Sequence, residues 1–461
     1  MPHDLLNHLD AQQDAAVARL VEFCAIPSVS ADPVFAGDVR RGAEWVASHL
    51  RASGLQADIL PTAGHPAVVA TAPDSMVADP AAKRVLFYGH YDVQPPDPLD
   101  LWTTGAFEPA VREGADGPAL FARGACDDKG QVLCFLEALR AFHDTGTKLP
   151  GPVTVLIEGE EEVGSVNLPP FLEEHKDKLA ADVCVVCDTS MWDPQTPAIT
   201  YGLRGLVYFD IKLHGPARDL HSGVYGGTLA NPATLLVDIL GQLFDADHRI
   251  TIPGFYDDVA ATTDDEFAQW SRLGFKEQQF LGDVGAEPFG ESGYGTLERK
   301  WARPSCDVNG LYGGYMQHGA KTVIPAFAGA KVSFRIPPNM DPHKVAEQFT
   351  RWLKSHPVGG CRWELTNFGE AWPVLTPTDS PYLQAAVRGI EQVAVAPALI
   401  RSGASIPIVA DFQRILKLPP LLIGFGLNSD NIHSPDEHFG LRRFALGQKA
   451  LVAVLHELAA V

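Results

Sequence analysis

The chain has 461 residues, 46% hydrophobic and 20% charged, and its 36 basic against 57 acidic side chains give a net charge of −21. That length exceeds what one hydrophobic core organises and implies at least two domains. So acidic a balance excludes nucleic acid and anionic membrane surfaces as partners, because both call for a basic face.

The N-terminal stretch MPHDLLNHLDAQQDAAVARL has neither a basic start nor a long apolar run, so no signal peptide is expected. No window reaches the roughly 18 uncharged apolar residues of a membrane span. Seven scattered cysteines suit a reducing cytosol better than a disulfide framework, which predicts a cytoplasmic protein. The spacing of Leu, Ala and Val predicts helices over 5–24 and 38–53, then strands at 66–71 and 84–88. A helix over 129–144 and strands near 152–157 and 182–187 follow. The CxxC of Cys184 and Cys187 lies inside the apolar run DVCVVCD and reads as buried strand, with no second pair to make a metal site. The same texture returns late: a helix opened by Ser380 and Pro381, the strand PLLIG, and a closing helix over 440–459. Alternating strands and helices predict an α/β fold with a largely parallel sheet and helices on both faces, a three-layer α/β/α domain.

The middle of the chain differs. A strand at 206–213, a helix opened by Asn231 and Pro232, strands near 307–312 and 328–336, a helix over 341–355 and a strand at 362–367 give the order βαββαβ. That order is the ferredoxin-like split unit. It predicts an α+β domain inserted at 205–372, with 1–204 and 373–461 forming one catalytic domain. The acidic stretch 245–302 within the insertion carries no clear pattern.

In an open α/β sheet, functional groups gather past the carboxyl ends of strands. There the chain places GHYD with His90 and Asp92, RGACDDKG with Asp127 and Asp128, EGEEEVGS with Glu158, Glu160, Glu161 and Glu162, then Asp188, and finally His433 in IHSPDEH. Carboxylates converging on one cleft repel unless a cation compensates them. Two histidines and three carboxylates can hold two divalent ions if one carboxylate bridges, and a further glutamate can serve as general base on a water between them. Asp92, two residues beyond His90, faces the same way in an extended segment and can accept the second imidazole N–H. Each feature alone has a plainer reading. HxD pairs and glutamate runs are commonly solvated, and Asp127-Asp128 could simply cap a helix. No GxSxG follows a strand, so a serine hydrolase finds no support.

The ordered set GHYDVQP, RGACDDKG, EGEEEVGS, CDTSMW, YGLRG, LHSGVYGG, AKTVIP, SFRIPPNM and SGASIP resembles the dinuclear zinc peptidases that include carnosine dipeptidases, aminoacylases and glutamate carboxypeptidases. The likeness is greatest to the cytosolic non-specific, carnosine-type dipeptidase branch and spans nearly the whole chain. It implies hydrolysis of dipeptides or short peptides with two divalent ions per chain, zinc foremost and manganese or cobalt as alternatives. It implies that Asp127 bridges them, that His90 and Asp188 complete one site and Glu162 and His433 the other, that Glu161 is the general base, and that Asp92 orients His90. The inserted domain would be a lid that also makes a homodimer, through which His221 reaches the partner's active site. Arg335 and Thr322 would bind the substrate's carboxylate side, with Ser405 and Gly403 lining the same pocket.

The sequence departs from that branch in places. Where it usually reads REGGSIP this chain reads RSGASIP, with Ser402 and Ala404, and HSQNE becomes HSPDE. Glu160 stands where methionine is common, so spacing does not separate Glu160 from Glu161. Two other readings stay open: an N-acyl amino acid deacylase on the same metals, and a non-catalytic binding protein on this fold.

Overall fold

The computed structural model of the protein describes residues 3–282 and 284–461. Packing divides the chain into two units, Met1–Tyr201 with Thr376–Ile400 and Ile408–Val461, and Gly202–Leu375 with Arg401–Pro407. The short segment Arg401–Pro407, expected within the catalytic domain, groups instead with the second unit. Its side chains and carbonyls bond to Arg204, Glu266 and Arg335.

Seven strands of the first unit's sheet lie in the order Gln56–Leu60, Ala67–Thr71, Val153–Glu158, Val85–His90, Val183–Val186, Pro420–Gly424 and Ala198–Leu203. The four central strands, Val153–Glu158, Val85–His90, Val183–Val186 and Pro420–Gly424, run parallel, and the flanking strands pair antiparallel. The largely parallel sheet expected from the sequence therefore holds at the centre only. Val85–His90 is buried from end to end. Phe87 stacks on Phe135 of the helix Lys129–Asp144 with ring centroids 3.8 Å apart, while Tyr88, on the opposite face, meets Phe412 edge-on at 4.9 Å. Helical segments thus cover both faces, which is why this strand reads as an unbroken apolar run. Cys184 and Cys187 are buried in and beside Val183–Val186, as the strand reading requires.

Some local expectations change. The helix expected over 5–24 is two helices, His3–Ala11 and Gln13–Cys24. Gln13 Nε2 takes the Leu9 carbonyl at 3.2 Å, and Gln12 leaves helical geometry at φ −101° and ψ 7°. In a three-stranded sheet of Ala110–Gly114, Gly117–Phe121 and His438–Gly440, only the middle strand has a counterpart in the sequence reading, the apolar segment ending at Ala122.

In the second unit, Ser305–Gly313, Phe327–Ile336, Gly205–His214 and Arg362–Ala371 form an antiparallel sheet in that spatial order. With helices Pro232–Leu240 and Pro342–Ser355 in sequence between them, this is the βαββαβ unit read from the sequence. Asn231 and Asp341 cap the two helices, each accepting from the amide two residues on. Gly205–His214 alternates buried and half-buried residues, so one face of the sheet meets the helices. Phe349 is fully buried there between Phe209 and Phe334, with centroids at 5.3 and 4.9 Å. Truncating it to alanine costs about 3–5 kcal/mol. The described residues of 245–302 carry three helices, Asp264–Ser271, Glu277–Gly282 and Thr296–Trp301. Among the described residues no helix is long and apolar enough to cross a membrane.

Candidate functional site

The central strands end level with one another. His90 stands opposite Glu158, and Tyr88 opposite both Leu156 and Val186. The residues that follow therefore emerge on one edge of the sheet. Two groups of donor atoms collect there, each with its atoms within 4.8 Å of one another: His90, Asp127 and Asp188, and Asp127, Glu162 and His433. All five expected ligand positions are brought together, and Asp127 belongs to both groups. His90 Nε2 lies 3.2 Å from Asp127 Oδ1, and His433 Nε2 lies 3.0 Å from Asp127 Oδ2 and 3.3 Å from Glu162 Oε2. One oxygen of Asp127 thus faces each imidazole.

Electrostatics shows what this cluster favours. Burial drives the Asp188 carboxyl well above the carboxylate range, and Asp127 and Asp128 add to the effect. Burial likewise pushes Glu161 up to about 7, opposed by His90 and reinforced by Glu162, Asp127 and Asp92. Hydrogen bonds donated to Asp127 and Glu162 lift His433 to about 10. The imidazoles are pulled towards the cationic form because the carboxylates have too little positive charge beside them. Divalent metal would answer that demand, and imidazole with carboxylate is a donor set that zinc, manganese and cobalt accept.

Residues further out aim these side chains. His90 Nδ1 lies 3.1 Å from the backbone carbonyl of Asp92 and 3.4 Å from its carboxylate. The Asp92 carboxylate accepts from Ser30 Oγ at 2.7 Å and from the amides of Glu161 and Glu162 at 3.2 and 3.1 Å. Asp92 therefore anchors the turn that carries both glutamates as well as flanking the imidazole. Glu160 turns aside, with both carboxylate oxygens bonded to Asn167 Nδ2 at 3.1 and 2.9 Å. The proline-rich loop after His90 is pinned, since Trp102 donates to the Pro96 carbonyl at 2.7 Å and Arg123 to that of Pro95 at 3.3 Å.

Sequence reasoning missed Glu437. This fully buried carboxylate accepts from Arg123 Nη1 at 2.7 Å and from the amides of Gly124, Cys126 and Asp127 at 2.9, 3.0 and 3.0 Å. It thereby shapes the loop that delivers Asp127. The sign available was an acid four residues beyond His433, at the end of the same loop. That loop is strained: Asn431, His433 and Asp436 have φ of 55°, 62° and 57°, in the left-handed region that non-glycine residues avoid. Asp436 holds it in place, accepting from Thr103 Oγ1 at 2.6 Å and Arg112 Nη2 at 3.0 Å.

The remaining candidates lie in the second unit. His221 pairs opposite Val323, and the Ser222 amide donates to the Thr322 carbonyl at 3.1 Å, so His221 and Thr322 are neighbours. His221 is exposed, and its Nδ1 accepts from the Gly223 amide at 3.0 Å. A neutral ring then carries its proton on Nε2 as an outward N–H donor. Arg335 donates from Nη1 to Ser405 Oγ at 2.9 Å, and Gly403 accepts from Arg204 Nε at 3.0 Å. Arg204 went unassigned in the sequence.

Comparison with known proteins agrees with this architecture. The chain is 33% identical to a Cys-Gly metallodipeptidase of Schizosaccharomyces pombe over 99% of this chain and 98% of the relative. The crystal structure of human carnosine dipeptidase 1 superposes with a TM-score of 0.82 at 31% identity, covering 99% of this chain and 98% of that one. An M20 family metallo-carboxypeptidase from Sulfolobus solfataricus superposes with a TM-score of 0.85 at 30% identity, over 97% of this chain and 99% of that one. Residues 86–457 match the sequence pattern of peptidase family M20/M25/M40, and with that span the match takes in all seven of His90, Asp92, Asp127, Glu161, Glu162, Asp188 and His433. By the extent of that match and by its full-length relatives, the chain belongs to peptidase family M20/M25/M40.

Proposed function

We propose that the protein hydrolyses dipeptides, using two divalent ions held as His90–Asp127–Asp188 and Asp127–Glu162–His433. The observation that carries this is the single carboxylate, Asp127, turned with one oxygen to each imidazole. Two imidazoles among the five ligands favour zinc, with manganese or cobalt as alternatives. When bound, such ions polarise a carbonyl and acidify water towards neutrality. Glu161 takes the proton of the attacking water and returns it to the leaving amine. The bonding of Glu160 to Asn167 supports Glu161 in that role. Asp92 holds the Glu161–Glu162 turn and the His90 ring.

The second unit supplies recognition. Arg335 forms charge-assisted hydrogen bonds with the substrate carboxylate, with Thr322, Ser405 and Gly403 beside it. His221 offers its outward N–H to the developing oxyanion of a partner subunit's substrate. A homodimer through the inserted domain is supported by the sheet's two edge strands: Leu311 on one and Phe368 on the other are 58% and 52% exposed. A cytoplasmic setting is supported by seven free cysteines.

The test is to strip the protein with a chelator, reload it with zinc, manganese or cobalt, and assay free dipeptides beside N-acetyl and N-succinyl amino acids. Metal-restored hydrolysis of the dipeptides is expected. A preference for the N-acyl compounds would replace this reading with a deacylase, and metal-independent turnover would remove it.

A further inference from the structure

Residues 245–302 are a built body inside the second unit. Arg303 makes a two-pronged pair with Glu291 at 2.7 and 2.6 Å, with the rings of Tyr294 and Tyr256 at 4.2 and 5.0 Å from its guanidinium carbon. Trp270 meets Trp301 edge-on at 5.1 Å. This body reaches the segment Arg401–Pro407 at two points.

At the first, Arg401 pairs with Glu266, both largely buried at 11% and 14% exposure, and its guanidinium carbon lies 5.5 Å from the Trp270 ring centroid. Glu266 is itself fixed. It is the third residue of the helix Asp264–Ser271, and its Oε2 accepts from the Thr263 amide at 3.2 Å in a capping box. At the second, Gly403 sits so close that a Cβ there would lie 3.0 Å from both Arg204 Nη2 and the Lys300 carbonyl. Arg204 ties these pieces together. It donates to the carbonyls of Gly403 and Arg303 at 3.0 and 3.4 Å and to Ser305 Oγ at 3.3 Å. Its own carbonyl accepts from Ser405 Oγ, which in turn accepts from Arg335. Between the two points, Ser402 Oγ accepts from the Ala404 amide at 3.1 Å and tightens the strap.

We propose that the 245–302 insertion is a brace for substrate recognition, in which Glu266 through Arg401, and Arg204 through Gly403, hold the 401–405 strap so that Ser405 fixes the Arg335 guanidinium. Glu266, Arg401 and Arg204 are positioning residues; they touch the anchor and not the substrate. The inference rests on Arg335 as the carboxylate anchor. A guanidinium lacking its hydroxyl partner loses a defined rotamer, and small misplacements of a binding group weaken binding steeply.

The experiment compares a free dipeptide with its C-terminal amide, in the full-length metal-loaded enzyme. Glu266→Gln keeps a capping-box side chain but removes the charge facing Arg401. Its KM for the free dipeptide should rise, by up to about 100-fold, with kcat held and KM for the amide unchanged. The reversed pair, Glu266→Arg with Arg401→Glu, should recover much of the loss. Equal losses on acid and amide, or a fall in kcat alone, would overturn the brace. If the wild-type enzyme treats acid and amide alike, the Arg335 reading fails first and the brace with it. Should Glu266→Gln not fold, Arg204→Lys, which keeps charge but loses the fork, carries the same readout.

Discussion

The metal cluster and the 401–405 strap solve the same problem, holding polar side chains at fixed positions, by opposite means. In the cluster His90, Glu162 and Asp188 stand at or just beyond the ends of buried strands and Asp127 just before a helix, while His433 alone sits in a longer loop that Asp436 pins. Hydrophobic packing of strands such as Val85–His90 therefore sets most of these positions, and nearby acids only refine them. In the strap almost nothing is local except the Ser402 turn. Its geometry comes from Arg204, about 200 residues upstream, and from Glu266 in an insertion. The first arrangement is robust to distant change, whereas the second can be retuned by it. A family can thus keep its chemistry and shift its substrates.

The sharpest way to break this contrast is at Asp127, which serves both donor groups. Asp127→Ala should empty both metal positions and bring turnover to background, while Glu162→Ala should empty one. Elemental analysis of the dialysed variants reads the difference. Next in size is Arg335→Lys. A hydrogen bond to a charged group is worth about 1.5–3 kcal/mol, so dipeptide affinity should fall about 10- to 100-fold while metal content holds. Glu437→Gln leaves the sheet intact but removes the charge that gathers three amides and Arg123 behind Asp127. Metal affinity should fall about 10- to 100-fold, followed by competition with a chromophoric chelator. The smallest effect is expected from Ser402→Glu, which restores the residue usual in the dipeptidase branch at the cost of the Ala404 hydrogen bond. KM should shift by only a few-fold, about the worth of one neutral hydrogen bond near 1 kcal/mol.

The same contrast decides what was legible in the sequence. His90 and Asp188 could be placed at strand ends because apolar runs announce their strands and each is the next polar residue, whereas Asp127 follows its run only after Arg123 and three small residues. The ferredoxin-like unit could be read from element order alone. Asp92 was placed beside His90, but its further contact with the amides of Glu161 and Glu162 joins residues about 70 apart, which spacing cannot show. Glu160 and Glu161 were inseparable because the distinction depends on Asn167, seven residues on and across a turn. Arg204, Glu437 and the task of Glu266 were invisible for one physical reason: each acts by a long-range hydrogen bond or ion pair, and periodicity reports only which face of an element is buried.

The central claim is that the strand-end cluster holds the metals and that Glu161 moves the proton. Glu161→Gln tests both together when metal content and turnover are measured on the same preparation. Metal content equal to wild type is expected, with kcat lowered by about 10²- to 10⁴-fold. Near-wild-type turnover in that variant would contradict it.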